Sequence, residues 1–140
     1  MGQRRRSTGE LVRELVAQRG LTSCMNDTKW REFQQAMATE MPFPPPYIYR
    51  SLFEEGEEDA WTLPEEVEYT GDYSAESFAW NDYQTIQWVK VRPWYYQNRG
   101  GLLCQHRVLY NGEEEFLAIL KRYSIPYEEK DGVYTIYGYR

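Results

Sequence analysis

Residues 111–137 read NGEEEFLAILKRYSIPYEEKDGVYTIY, and the change of period inside this stretch decides the fold class. Phe116, Leu117, Ile119, Leu120 and Tyr123 recur at helical spacing and make a wide apolar face. Asn111, followed three residues later by Glu114, resembles a capping box. Glu113 to Glu115 sit at the positive end of the helix dipole, and Lys121 with Arg122 at the negative end. Pro126 ends the pattern because it lacks the N–H that would continue the ladder. Tyr127-Glu128-Glu129 and Val133 to Tyr137 then read as extended runs joined at Lys130-Asp131-Gly132, and Asp-Gly between such runs is a strong hairpin signal. The C-terminal end is therefore expected to be a helix followed by a β-hairpin.

The stretch from Phe78 to Tyr96 is rich in β-branched and aromatic residues and predicts a central strand. Thr85, Gln87, Val89 and Val91 would share one face, with Ile86, Trp88, Lys90 and Arg92 on the other. Pro93 ends or edges it, and Gly100-Gly101 marks the turn before Arg107-Val108-Leu109-Tyr110. Another helix is predicted over residues 28–40, capped by Asn26, Asp27 or Thr28, with Trp30, Phe33, Met37 and Met41 along one face. The run Pro44-Pro45-Pro46 reads as a rigid connector into Tyr47-Ile48-Tyr49 rather than as a polyproline ligand. Leu11, Val12, Leu15 and Val16 form a short stripe between Ser7-Thr8 and Gly20, a marginal helix on its own. No internal repeat is visible. The expected fold is a single α+β domain with a largely antiparallel sheet and two main helices packed on it. Residues 1–24 are expected to form a helical appendage and residues 25–140 the compact domain, with Met25 its first residue and a candidate natural start.

The balance of side chains favours binding over catalysis. The chain has thirteen Tyr, five Trp and five Phe in 140 residues, against one His and two Cys. A domain of this size buries roughly two-thirds of its unfolded surface, so with few aliphatic residues part of the core must be aromatic. Residues 1–24 carry five Arg and two Glu, and the remaining 11 basic and 20 acidic groups leave the body at −9. Such a body repels nucleic acid and attracts basic partners. Cys24 and Cys104 suggest neither a disulfide framework nor a thiolate metal site, and a reducing compartment fits best. Neither a signal-type apolar region nor a run long enough to span a membrane is present, so the expected location is the cytoplasm.

Candidate chemistry is sparse. Cys104 and His106, two apart in an extended run, would share a face as a nucleophile and base, but no glycine-rich nucleophile turn accompanies them. Trp80, Trp88, Trp94, Tyr95 and Tyr96 offer stacking faces for a carbohydrate or peptide, though the same residues would fill an aromatic core. Arg92, Arg99 and Arg107 are too few for a nucleic-acid groove. Glu54, Glu55, Glu57, Glu58 and Asp59 lack the alternating ligand pattern of a calcium loop. No metal or cofactor is expected. The acidic run reads as a solvated loop or as an electrostatic docking patch.

Several segments together are similar to a family of small uncharacterised bacterial proteins. They are Thr28-Lys29-Trp30-Arg31-Glu32, Pro45-Pro46-Tyr47, Ile86 to Pro93, Ile119 to Tyr127 and Ile136 to Arg140. Members of that kind resemble the immunity proteins that accompany secreted polymorphic toxins. The resemblance spans most of residues 26–140 and implies no active site. It implies instead a non-catalytic protein that blocks a basic toxin, such as a nuclease, by stoichiometric binding. Glu54, Glu55, Glu57, Glu58 and Asp59 would steer that partner, and Trp61 and Tyr69 would anchor it. A carbohydrate- or peptide-binding module is the alternative, and a minor enzyme using Cys104 and His106 a further one.

Overall fold

The computed structural model describes residues 5–56, 71–101 and 106–140. In chain order these contain α1 (Thr8–Arg19), α2 (Asp27–Thr39), β1 (Tyr47–Ser51), α3 (Phe78–Asn81), β2 (Ile86–Val91), β3 (Trp94–Arg99), β4 (His106–Asn111), α4 (Glu113–Arg122), β5 (Glu128–Lys130) and β6 (Val133–Tyr137). β1, β2, β6 and β5 lie in that order in a four-stranded sheet, antiparallel throughout, and β3 pairs with β4 in a separate two-stranded ribbon. The expected α+β class and the terminal helix-then-hairpin order are both present.

Local chemistry explains the element boundaries. Asn26 caps α2 by accepting from the Lys29 N–H at 2.8 Å. Ser7 does the same for α1 from Glu10, and Gly20 closes that helix in the left-handed region with φ of 64°. At the hairpin, Asp131 and Gly132 have φ of 54° and 78°, the positive pair that a tight two-residue turn requires. The α4 cap differs from the expected capping box. Gly112 occupies the N-cap and Asn111 Oδ1 accepts from the Glu113 N–H at 3.0 Å, because the helix begins beside Met41 and Pro42, where a Cβ on Gly112 would be crowded.

The predicted strand over residues 78–96 is broken into four pieces. Residues 78–81 form a helical turn and residues 83–85 a 3-10 turn, pinned by the Thr85 hydroxyl donating to the Asp82 carbonyl. β2 then covers residues 86–91, and beyond Pro93 the chain joins the ribbon. β2 is the central strand, between β1 and β6. Its Val89 and Val91 face α2 and α4 in a core that includes Trp30, Phe33, Met37, Phe116, Leu120 and Ile136. Phe33 lies within 6.4 Å, centroid to centroid, of Trp30, Tyr73, Trp80 and Phe116. Tyr73 and Trp80 belong to this cluster, so α3 and the segment before it are packed onto the same face.

The segment between α1 and α2 pairs with the last residues of the chain. Thr22 and Arg140 exchange two backbone hydrogen bonds of 2.8 Å, and the Cys24 N–H donates to the Gly138 carbonyl at 2.9 Å. Gly138 leaves no room for a side chain, since its Cβ would collide with the Ile86 carbonyl.

Candidate partner-binding surface

The acidic run begins where β1 ends, and its base is held by a buried cation. Arg50, next to last in β1, is 4% exposed and donates from Nη2 to the carbonyls of Glu54 at 3.3 Å and Gly56 at 2.7 Å. Leu52 is fully buried and its N–H donates to the Thr85 carbonyl, while the Glu54 N–H closes a turn onto Ser51. Gly56, at φ of 107°, supplies a conformation that side-chain-bearing residues rarely adopt. Glu54 is half-buried and Glu55 exposed. The negative charge of Glu54 adds to desolvation in raising the pKa of Tyr49.

Glu57, Glu58, Asp59, Trp61 and Tyr69 lie outside the described residues. The chain is again described from Gly71, and here too it is tied to the entrance of β1. The Gly71 N–H donates to the Pro44 carbonyl, the Tyr73 hydroxyl to the Pro45 carbonyl at 2.8 Å, and the Tyr47 hydroxyl to the Asp72 carbonyl. Trp80 Nε1 donates to Tyr47 at 3.0 Å, so the returning segment is locked into the aromatic core. Burial raises the pKa of both Tyr47 and Tyr73. The Asp72 carboxylate is lowered by hydrogen bonds from Ser74, which fit its ionised form. The proline run is thus a scaffold: its carbonyls receive the loop as it comes back.

The aromatic residues proposed as stacking faces divide into two groups. Trp80 and Trp88 are buried, at 3% and 1% exposure, and present no face to a ligand. Trp94, Tyr95 and Tyr96 are half-buried on β3. Tyr95 stacks on Tyr110 at 4.9 Å and meets Phe43 edge-on at 5.0 Å, which docks one side of the ribbon against the proline connector. On the other side Trp94 Nε1 donates to the Gly132 carbonyl at 3.1 Å. The three Arg residues noted in the sequence each cover a ring: Arg92 over Trp94 at 4.6 Å, Arg107 over Tyr96 at 4.0 Å and Arg99 over Tyr110 at 5.6 Å. Leu109 is 49% exposed and lines a cleft of about 230 Å³ with Trp94, Tyr96, Asn111 and Glu113. Glu113 accepts from the Tyr134 hydroxyl at 2.7 Å and, after burial, is the second cause of that tyrosine's raised pKa.

His106 is exposed at the first position of β4, and Cys104 lies outside the described residues. Among the described residues no group of three or more His, Cys, Asp or Glu is placed to hold a metal, and no helix is long and apolar enough to cross a membrane.

Two features escaped the sequence reading. Arg50 had a visible signal, a lone cation ending the run Tyr47-Ile48-Tyr49 just ahead of six residues of which five are acidic. The ribbon was harder to foresee, because Pro93 reads as the end of a strand but carries no information that the next strand joins a different sheet. No curated protein and no solved structure shows significant similarity to the chain. A family model does match, over residues 12–140, and the chain therefore belongs to DUF6678, a family of unknown function.

Proposed function

We propose that this chain is a non-catalytic, stoichiometric binding protein of the immunity type, acting in the cytoplasm on a basic protein partner such as a toxin nuclease. The observation that carries this reading is the anchoring of the acidic loop: Arg50 fixes the carbonyls of Glu54 and Gly56, and the chain returns at Gly71 onto the proline run. Glu54 and Glu55, on backbone fixed by Arg50, are presented with less ordering cost than on an untied segment. Summed negative charge accelerates encounter with a cationic surface and orients it, without any covalent step.

The test begins with the chain itself as bait, capturing the protein that binds it in its source cell. Association rates of that protein with wild type and with Glu54→Lys/Glu55→Lys are then compared across ionic strength. The expected result is an association slowed roughly tenfold or more at low salt, with the two proteins converging as salt is raised. Equal rates at low salt would refute the steering role of the loop.

A second reading, a peptide- or carbohydrate-binding module, has the ribbon cleft in its favour. Two aromatic walls, Trp94 and Tyr96, stand beside an amide and a carboxylate, Asn111 and Glu113. Under that reading Trp94→Ala abolishes binding while the Glu54/Glu55 substitution leaves it intact, so one pair of variants separates the two.

A further inference from the structure

Arg50 does more than hold a loop: among the described residues its hydrogen bonds go to carbonyls, and no carboxylate is paired with it. The side chain is 4% exposed, both of its hydrogen bonds are made by Nη2 to neutral carbonyls, and Nε has no hydrogen-bond partner. A guanidinium taken out of water normally finds a carboxylate or phosphate for its planar fork, and carbonyls supply only part of that compensation. Arg50 also lines a pocket of about 510 Å³, shared with Arg19, Leu21, Glu54, Glu55, Gly56 and Gln87. Arg19, in the last turn of α1, is exposed and forms no ion pair among the described residues.

The lining fixes the chemistry of an occupant. Arg19 and Arg50 call for an oxyanion, while Glu54 and Glu55 bring two negative charges to the same pocket and oppose a dianion. A carboxylate with an ammonium group beside it satisfies both pairs. We infer that this pocket binds a free α-amino acid, its carboxylate on Arg50 and Arg19 and its ammonium toward Glu54 and Glu55. The site uses no reaction and no partner protein, and it stands or falls separately from the proposed inhibitory role.

The experiment is a thermal-shift and calorimetric titration of the full chain at constant ionic strength. Its probes are the twenty standard amino acids, acetate, methylammonium and inorganic phosphate. At least one amino acid raises Tm in a saturable way, as binding to the folded state requires, and exceeds the other three probes. Arg19→Gln, an exposed substitution that spares the fold, raises the half-saturating concentration roughly tenfold, the loss expected of one charge-assisted contact. Arg50→Lys keeps the charge without the fork and weakens binding further; if it fails to fold, Arg19→Gln still decides. Absence of a saturable shift with every amino acid, or identical binding by Arg19→Gln, overturns the proposal. Acetate or phosphate binding as tightly as any amino acid overturns the zwitterion assignment.

Discussion

The four-stranded sheet and the β3–β4 ribbon are built from the same aromatic residues, yet those residues do different work in each. Against the sheet, Phe33 meets Tyr73, Trp80 and Phe116 in a buried layer shared with β2, and their energy is that of burial. In the ribbon, Trp94, Tyr96 and Tyr110 remain part-exposed and each is covered by an arginine, so part of their energy is electrostatic. A two-stranded ribbon is marginal alone and depends on its docking points, here Phe43 and the hairpin turn at Gly132. What surrounds a ring, rather than the ring itself, decides whether it stabilises the fold or offers a surface.

Substitutions sharpen this contrast, and the largest effect is expected in the sheet layer. Phe33→Ala removes a fully buried ring that touches four others, and should cost about 3–5 kcal/mol by urea unfolding. A smaller loss there would mean that the core is looser than its contacts imply.

Alkaline pH should attack the same layer. Burial raises the folded-state pKa of Tyr47, Tyr73 and Tyr134 above the unfolded value of about 10, so folding favours their neutral form. Their contribution is complete below about pH 10 and is lost as pH climbs toward the raised values, since the unfolded chain then releases protons that the folded one retains. Ultraviolet titration should therefore show these phenols ionising only together with unfolding. Ionisation of all tyrosines near the ordinary pKa, with the fold intact, would contradict their burial.

Gly138→Ala comes next. The new Cβ meets the backbone of β2 rather than a side chain that can move aside, and about 1–3 kcal/mol of stability should be lost. The smallest effect belongs to the ribbon. Arg107→Ala uncovers Tyr96 and should cost about 0.5–1 kcal/mol, with no change in the exchange of β2 amides. A loss as large as that of Phe33→Ala would erase the distinction between the two regions.

The sequence made the periodic elements legible and the long-range partnerships obscure. α2 was expected over residues 28–40 and is found one residue earlier, because Asn26 and the spacing of Trp30, Phe33 and Met37 are local signals. The hairpin at Asp131-Gly132 was equally local. The strand expected from residue 78 was cut short by turns whose hydrogen bonds, such as Thr85 to Asp82, compete with extended structure and leave little trace in hydrophobic pattern. For the candidate surface, Glu54 and Glu55 were proposed from charge alone. The role of Arg50 depends on carbonyls four and six residues away that no composition rule identifies.

Native-state hydrogen exchange tests the central claim most directly: a cooperative core holds weakly tied peripheral elements, the ribbon and the start of the acidic run. Amides of β2 and α4 should exchange only through global unfolding, while those of β3, β4 and residues 53–56 should exchange through local opening at distinctly lower free energy. Uniform protection of all these amides, falling together with denaturant, would show one undivided unit and contradict the account.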